Sequence, residues 1–129
     1  MLRAVACALV VDDSASQALG LAAALTRAGY APVYSAVDWA ECRRALARAL
    51  PAIIVLDVTM PGMVSGDVMA MQLRRNPRCA GARLVLYSGL RSHDLAVLAE
   101  RCGADAHLRK GDETALVKLC KQLVPPEDP

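Results

Sequence analysis

Short apolar runs alternate along the chain with longer segments in which apolar residues recur every three or four positions. The apolar runs cover residues 4–11, 32–35, 53–56, 84–87 and 106–108. The first, third and fourth runs are almost continuously apolar, which is typical of strands that helices cover on both faces of a parallel sheet. The pattern therefore predicts five strands in a buried sheet.

The remaining segments predict five helices, over residues 15–28, 38–50, 66–76, 92–101 and 112–124. Asp38 and Asp112 stand where a side chain can cap a first turn, and Gly29 and Gly103 stand where a helix closes. The strict alternation of strands and helices predicts one doubly wound α/β domain with right-handed crossovers. We expect this domain to span residues 1–124, with 125–129 as a tail or the start of a linker.

Cysteine usage and hydropathy bear on the compartment of this 129-residue chain. Its five cysteines are odd in number and widely spaced, without a C-x-x-C pair. This favours buried thiols in a reducing cytoplasm over disulfides or a zinc site. The first apolar run lacks the spacing of a signal peptide, and no apolar stretch reaches the length of a membrane span. We expect a cytoplasmic protein that does not contact membranes.

The charge pattern argues against nucleic acid as a partner. The formal net charge is +2, and the basic residues are scattered along the chain rather than arranged in a stripe. Arg43, Arg44 and Arg48 cluster on the second predicted helix, where we expect a solvated face. Trp39, at the start of the same helix, is expected to pack against the core.

Polar residues follow four of the five predicted strands. Asp12 and Asp13 come after the first strand, Asp57 after the third, Ser88 after the fourth and Lys110 soon after the fifth. In a doubly wound sheet, ligands bind outside the carboxyl ends of the strands. We therefore expect three acids, a hydroxyl and an ammonium group to converge at one edge of the sheet.

These residue types suit phosphoryl transfer to a carboxylate. Clustered carboxylates repel one another unless a cation compensates, and a set of oxygen ligands without His or Cys suits Mg²⁺. A carboxylate can act as a nucleophile and form an aspartyl phosphate, while Mg²⁺ and a lysine neutralise the transferred group. Taken singly, the residues also fit simpler roles: acids at a helix start, turn residues at strand ends, and a surface lysine.

Four motifs, in order and at strand ends, carry a resemblance to a known family. They are VVDDS at 10–14, LDVTMPG at 56–62, LYSG at 86–89 and CGADAHLRK at 102–110. The chain resembles the receiver domains of bacterial response regulators from residue 4 to about residue 124. The resemblance implies a flavodoxin-like sheet with strand order 2-1-3-4-5. It also implies a role in two-component phosphorelay signalling, with self-catalysed phosphoryl chemistry only, rather than an enzyme acting on other substrates.

The resemblance assigns the acids position by position. Asp57 matches the phosphoacceptor, Asp13 the direct Mg²⁺ ligand, and Asp12 an acid that assists the metal through water. Thr59 matches the position whose backbone carbonyl binds the metal. We therefore expect Asp12, Asp13, Asp57 and Thr59 to form a Mg²⁺ site.

The resemblance also assigns a switch. Ser88 matches the hydroxyl that moves toward the phosphoryl group, Lys110 the lysine that contacts its oxygens, and His107 the position of an aromatic switch residue. The implied output surface comprises the fourth helix, fifth strand and fifth helix, over about 92–124. The implied partners are a histidine kinase or phosphotransfer protein and a downstream target or output domain. A homodimer through the face from the fourth to the fifth helix is compatible with this pattern.

Three departures from the family pattern bear on the site. The loop MPGMVSG, residues 60–66, is one residue longer than usual. Gly111 follows Lys110 where the family has proline after a cis peptide bond, so we expect a trans peptide and a differently placed lysine. His107 replaces the usual Tyr or Phe, and its imidazole could add sensitivity to pH.

Three other functions compete with this one. The departures favour a pseudo-receiver, which keeps the fold as a phosphorylation-independent interaction module, but the full set of acids, Ser88 and Lys110 argues against it. A haloacid-dehalogenase-type phosphatase needs a second acid two residues after its nucleophile, where this chain has Thr59. Dinucleotide binding lacks a G-x-G-x-x-G turn after a strand.

Overall fold

The five strands form one parallel sheet. The computed structural model of the chain describes residues 6–59 and 66–126. The strands lie in the order β2-β1-β3-β4-β5, and every neighbouring pair is parallel. Their bounds are β1 Ala8–Val11, β2 Val33–Ala36, β3 Ile53–Leu56, β4 Arg83–Ser88 and β5 Ala106–Arg109. The predicted doubly wound, flavodoxin-like fold is confirmed.

The helices alternate with the strands as predicted. They are α1 Ala15–Arg27, α2 Trp39–Arg48, α3 Gly66–Arg75, α4 Ser92–Cys102 and α5 Glu113–Leu123. A short 3-10 helix at Pro77–Cys79, which the sequence pattern did not predict, lies between α3 and β4. No helix in the described part of the chain is long and apolar enough to cross a membrane.

Capping residues mark where several helices begin or end. The Asp38 carboxylate accepts a hydrogen bond from the Glu41 N–H at 2.8 Å, and Asp112 caps α5 through the Ala115 N–H at 2.9 Å. Gly103 closes α4 with a φ of 73°, in the left-handed region that favours glycine. These caps satisfy backbone groups that a helix end leaves without partners.

The first strand is shorter than predicted. Residues 6 and 7 precede β1, and residues 4 and 5 lie outside the described residues. Ala6 instead makes backbone hydrogen bonds with Pro126 and Ala31, at 3.2 and 3.0 Å. The Cys7 carbonyl accepts from the N–H groups of Ala52 and Ile53, at the start of β3. Residues 6 and 7 therefore lie beside the segments that lead into β2 and β3. The predicted tail lies partly outside the described residues, which end at Pro126.

Two hydrophobic cores lie on opposite faces of the sheet. One joins the strands to α2, α3 and α4, and Trp39 packs against it as expected. The other joins them to α1 and α5. In β1, Leu9 and Val11 enter the first core while Ala8 and Val10 enter the second, as the alternation of side chains along a strand requires. The arginine cluster of α2 is exposed, as predicted.

The five cysteines are buried thiols that form no disulfide bond, as expected: Cys7, Cys42, Cys79, Cys102 and Cys120. Thiols of this kind behave as small apolar side chains in the core. The cysteines therefore belong to the core, and the candidate functional groups are the polar residues at the strand ends.

Candidate functional site

The three acids meet at the carboxyl edge of the sheet. Val11 of β1 is in register with Leu56 of β3, so the residues that follow, Asp12 and Asp57, leave the sheet side by side. Asp12 and Asp57 are buried, whereas Asp13 is exposed. One carboxylate oxygen from each of the three acids lies within 4.8 Å of the others. The predicted convergence of the acids is therefore present.

Lys110 joins this group through its side chain. Its ammonium nitrogen Nζ donates to Oδ2 of Asp12 at 2.6 Å and to Oδ2 of Asp57 at 2.9 Å. Its third contact, at 2.7 Å, is with the amide oxygen of Gln17, on the first turn of α1. The lysine thus links the residues that follow β1 and β3 to the first turn of α1.

The backbone beside Lys110 differs from the pattern that the resemblance implies. The cis peptide bond found among the described residues is Ala31–Pro32, so the Lys110–Gly111 peptide is trans, as expected without proline. Gly111 has a φ of 130°, a conformation that favours glycine. The N–H of Lys110 donates to the Ser88 carbonyl at 2.8 Å. The lysine therefore reaches Asp57 from a loop anchored to β4, despite the trans peptide.

Thr59 and Ser88 occupy the other side of Asp57. The backbone N–H and the hydroxyl of Thr59 donate to Oδ1 of Asp57 at 2.9 and 2.7 Å. The Ser88 hydroxyl, which is fully buried, donates to the Thr59 hydroxyl at 3.3 Å. The N–H of Leu90 donates to the Ser88 hydroxyl oxygen at 3.4 Å. Ser88 is therefore connected to Asp57 through Thr59 and to the segment leading into α4 through Leu90.

The electrostatics keep both Asp57 and Lys110 charged. Burial alone would raise the pKa of Asp57, but hydrogen bonds from Lys110 and Thr59 outweigh it and lower that pKa. Burial opposes the charge of Lys110, yet its bonds to Asp12 and Asp57 prevail and raise the pKa of the ammonium group. Asp57 is consequently an ionised carboxylate at neutral pH, the form that can act as a nucleophile.

The donor set fits a hard divalent cation. Asp12, Asp13 and Asp57 offer only oxygen ligands, which suit Mg²⁺. Asp12 is already engaged, because its Oδ1 accepts from the Ser14 N–H at 3.0 Å and its Oδ2 accepts from Lys110. Asp13 is exposed and is thus the most accessible of the three carboxylates.

Two contacts of the site were not foreseen from the sequence. Gln17 was missed because an exposed glutamine on an amphipathic helix carries no distinguishing pattern, and its nearness to Asp13 in sequence was the available signal. The Thr59 side-chain contact with Asp57 was also missed. His107 is exposed on β5, in register with Leu86. Residues 60–65 of the longer loop, which was predicted over residues 60–66, lie outside the described residues.

Comparison with known proteins shows which family the chain belongs to. The family model for the response regulator receiver domain matches residues 8–121, and the chain belongs to that family. Response regulator PleD of Caulobacter vibrioides is 36% identical over 102 residues, which cover 79% of this chain and 22% of PleD. Chemotaxis protein CheY of Thermotoga maritima is 27% identical over 96 residues, covering 74% of this chain and 78% of CheY. This chain thus spans about a fifth of PleD and most of CheY.

A solved structure also matches the fold. The response regulator of Burkholderia pseudomallei, crystallised with a phosphorylated aspartic acid, a calcium ion and citrate, has a TM-score of 0.76 and 28% identity. The match covers 87% of this chain and 64% of that one. Membership of the family implies two-component signalling. Receiver domains bind Mg²⁺ at an acidic pocket and are in general not enzymes that turn over separate substrates.

Proposed function

We propose that this chain receives a phosphoryl group on Asp57 from a histidine kinase or a phosphotransfer protein, in a reaction that depends on Mg²⁺. The observation that carries the proposal is the position of Lys110, whose ammonium group contacts both Asp12 and Asp57. This contact keeps a buried carboxylate ionised beside two further acids. The arrangement combines a nucleophile, a metal site and a cation for the incoming group.

The acids divide the work of holding the metal. Asp13 binds the ion directly because it is the exposed member of the set, and Asp57 supplies a second carboxylate. Asp12 acts through water, since Ser14 and Lys110 already engage its two oxygens. The backbone carbonyl of Thr59 completes the protein ligands. When bound, Mg²⁺ offsets negative charge on the phosphoryl oxygens.

The protein contributes to the transfer mainly by positioning the reacting groups and by stabilising their charge. A carboxylate oxygen of Asp57 forms a bond to phosphorus as the bond from phosphorus to the donor's imidazole nitrogen breaks, and that nitrogen leaves with the bonding electrons. The ammonium group of Lys110 then contacts the phosphoryl oxygens and compensates their charge. The phosphorylated side chain thereby gains negative charge beside the ammonium group of Lys110, which already contacts Asp57.

Phosphorylation is proposed to switch a surface through Ser88. Its hydroxyl bonds to Thr59 and not to Asp57, so movement toward a phosphoryl oxygen exchanges one hydrogen bond for another. Because Leu90 donates to the same hydroxyl, that movement is transmitted toward α4. His107, exposed on β5, follows it as the residue at the aromatic switch position. The output surface comprises α4, β5 and α5.

The organisation of the chain is part of the proposal. Residues 1–124 form the receiver and 125–129 a tail or linker, and the output is a downstream protein or a further domain. The buried thiols, which form no disulfide bond, suit a cytoplasmic setting. The α4 to α5 face also offers a surface for a homodimer.

Beryllofluoride with Mg²⁺, which mimics the phosphoryl group, tests the proposal. In backbone NMR spectra we expect shifts at Asp57, Ser88 and α4 in the wild type and no shifts in Asp57→Asn. Mg²⁺ without beryllofluoride is the control for metal binding alone. A wild-type spectrum that beryllofluoride leaves unchanged contradicts the proposal and favours a phosphorylation-independent interaction module.

A further inference from the structure

Among the described residues, Gln17 is the hydrogen-bond partner of the Lys110 ammonium group that comes from outside the acid cluster. An ammonium group has three N–H donors, and here Asp12, Asp57 and Gln17 accept one each, at 2.6, 2.9 and 2.7 Å. The two carboxylates follow β1 and β3, whereas Gln17 belongs to α1. The amide therefore holds the lysine from a different direction than the acids do.

The third acceptor limits where the ammonium group can go. A cleft of about 330 Å³ opens beside Lys110, with Ser16, Gln17, Gly20 and Gly111 among its lining residues. Without the Gln17 amide, the third N–H would face water in this cleft and the long side chain could swing into it. Because the amide is neutral, it fixes the lysine without adding a fourth negative charge to the three acids.

The side chain of Gln17 takes no part in the cap that starts α1. The residue is exposed on the first turn of α1, and the contact that starts the helix uses its backbone N–H, which donates to the Ser14 hydroxyl at 3.3 Å. A substitution that changes only the side chain therefore keeps the cap of the helix. The amide oxygen of Gln17 accepts its hydrogen bond from Lys110.

We infer that Gln17 is a positioning residue, which holds the ammonium group of Lys110 beside Asp57 so that it meets the incoming phosphoryl oxygens. The consequence for transfer rests on the proposed function, whereas the hold on the lysine can be tested without it. Misplacing a group that stabilises the reacting atoms slows a reaction even when the group itself is intact.

The lysine content of the chain makes a direct test practical. There are three lysines, Lys110, Lys118 and Lys121, and the last two are exposed. In NMR spectra of lysine ammonium groups, Lys110 should exchange its Nζ hydrogens with water slowly, while the two exposed lysines serve as internal references.

Three variants separate the acceptor from the bulk of the side chain. Gln17→Leu keeps the size but removes the oxygen, and we expect Lys110 exchange to accelerate by about tenfold, the loss of one charge-assisted hydrogen bond. Gln17→Glu keeps an acceptor and should retain slow exchange. Gln122→Leu, at an exposed glutamine of α5, is the matched control and should behave as the wild type. Unchanged Lys110 exchange in Gln17→Leu overturns the inference.

A kinetic measurement then tests the consequence. With acetyl phosphate and Mg²⁺, Gln17→Leu should be phosphorylated about three- to tenfold more slowly than the wild type and Gln122→Leu. An equal rate in Gln17→Leu, with exchange accelerated, overturns the positioning role. If the wild type itself takes up no phosphoryl group, the proposed function fails, and the exchange measurement still decides whether Gln17 holds the lysine.

Discussion

The ammonium nitrogen of Lys110 lies 2.9 Å from Oδ2 of Asp57, although the two residues are 53 positions apart in sequence. The contact crosses from the loop after β5 to the end of β3, and it neutralises a carboxylate that is 5% exposed. A second bond joins the same nitrogen to Asp12. One cation thus compensates two buried acids, which makes it important for stability as well as for chemistry.

Removing this cation should destabilise the fold in a way that a divalent metal can relieve. In Lys110→Met, Asp12 and Asp57 lose their shared donor, so we expect the free energy of unfolding to fall by about 1–3 kcal/mol in the absence of divalent ions. Mg²⁺ should raise the melting temperature of this variant more than that of the wild type, because it supplies the missing positive charge. Urea and thermal denaturation, with and without Mg²⁺, measure both effects.

The control for that experiment is Lys118→Met, at an exposed lysine of α5. It should stay close to the wild type, and its response to Mg²⁺ should be the same as that of the wild type. An equal response to Mg²⁺ in Lys110→Met would argue that the lysine does not compensate the charge of the acids in the proposed metal site.

The pKa of Asp57 should depend on the hydroxyl of Thr59. Hydrogen bonds from Lys110 and Thr59 hold the pKa of Asp57 below its ordinary value of 3.8, against the effect of burial. Thr59→Val removes the hydroxyl donor at 2.7 Å, so the pKa should rise. Carboxyl carbon NMR during acid titration measures it, with Thr114→Val on α5 as the control.

The sign of the linked stability change follows from this direction. Since the folded-state pKa is lowered, the contribution of Asp57 to stability is present above the ordinary pKa and disappears as the pH falls through the folded-state value. Thr59→Val should therefore lose less stability than the wild type on acidification. A titration midpoint for Asp57 that is the same in Thr59→Val and the wild type would refute the assignment.

A second group of ion pairs, around Asp105, lies at the amino-terminal ends of β4 and β5, away from the candidate site. Asp105 accepts hydrogen bonds from the Arg74 guanidinium, from the Leu84 N–H at 2.7 Å and from Arg83 at 3.3 Å. Asp105→Ala leaves these donors without their acceptor and should cost about 1–3 kcal/mol of unfolding free energy. Urea denaturation provides the measurement.

A surface pair offers the matched comparison for Asp105. Asp94 lies 3.5 Å from Arg91, and both side chains are more than half exposed. Asp94→Ala should therefore change the stability by less than about 1 kcal/mol. Equal losses in the two variants would show that the Asp105 contacts add nothing beyond an exposed ion pair.

A buried thiol should make the fold sensitive to alkali. Burial, with a smaller effect of Cys79, raises the pKa of Cys42 from 9.0 to about 12. Between these values the unfolded chain loses the thiol proton and the folded chain keeps it, so stability falls as the pH rises. Cys42→Ala should reduce the slope by about 1.4 kcal/mol per pH unit.

Urea denaturation from pH 8 to pH 11 gives this slope, and the slope rather than the absolute stability decides the outcome. Cys42→Ala also lowers stability at pH 8 by leaving space in the core, which does not affect the comparison. A slope identical to that of the wild type would contradict the burial of this thiol.

The sequence was sufficient for the fold because the signals are local. Continuous apolar residues marked the strands at 53–56 and 84–87, and capping residues such as Asp38 and Asp112 marked the helix starts. The site could be anticipated for a related reason, since parallel strands end at one edge and bring Asp57 and Lys110 together without any knowledge of side-chain contacts.

The contacts that were missed depend on tertiary geometry. Gln17 reaches Lys110 across 93 residues, and neither residue carries a pattern that indicates its partner. The bonds of Asp105 to β4 and α3 are likewise invisible in the sequence, because each donor is an ordinary arginine or backbone group. The start of β1 was predicted too early because residues 6 and 7 are as apolar as the strand itself, so the sequence does not mark where regular pairing begins.

Intact-mass measurement after incubation with acetyl phosphate and Mg²⁺ shows whether Asp57 accepts a phosphoryl group. The wild type should gain the mass of one phosphoryl group, and a chelator of Mg²⁺ should prevent the gain. Asp57→Asn, which preserves the size of the side chain, should gain nothing. A wild type that gains no mass, or an Asp57→Asn variant that gains as much as the wild type, would contradict the proposal that Asp57 is the phosphoacceptor.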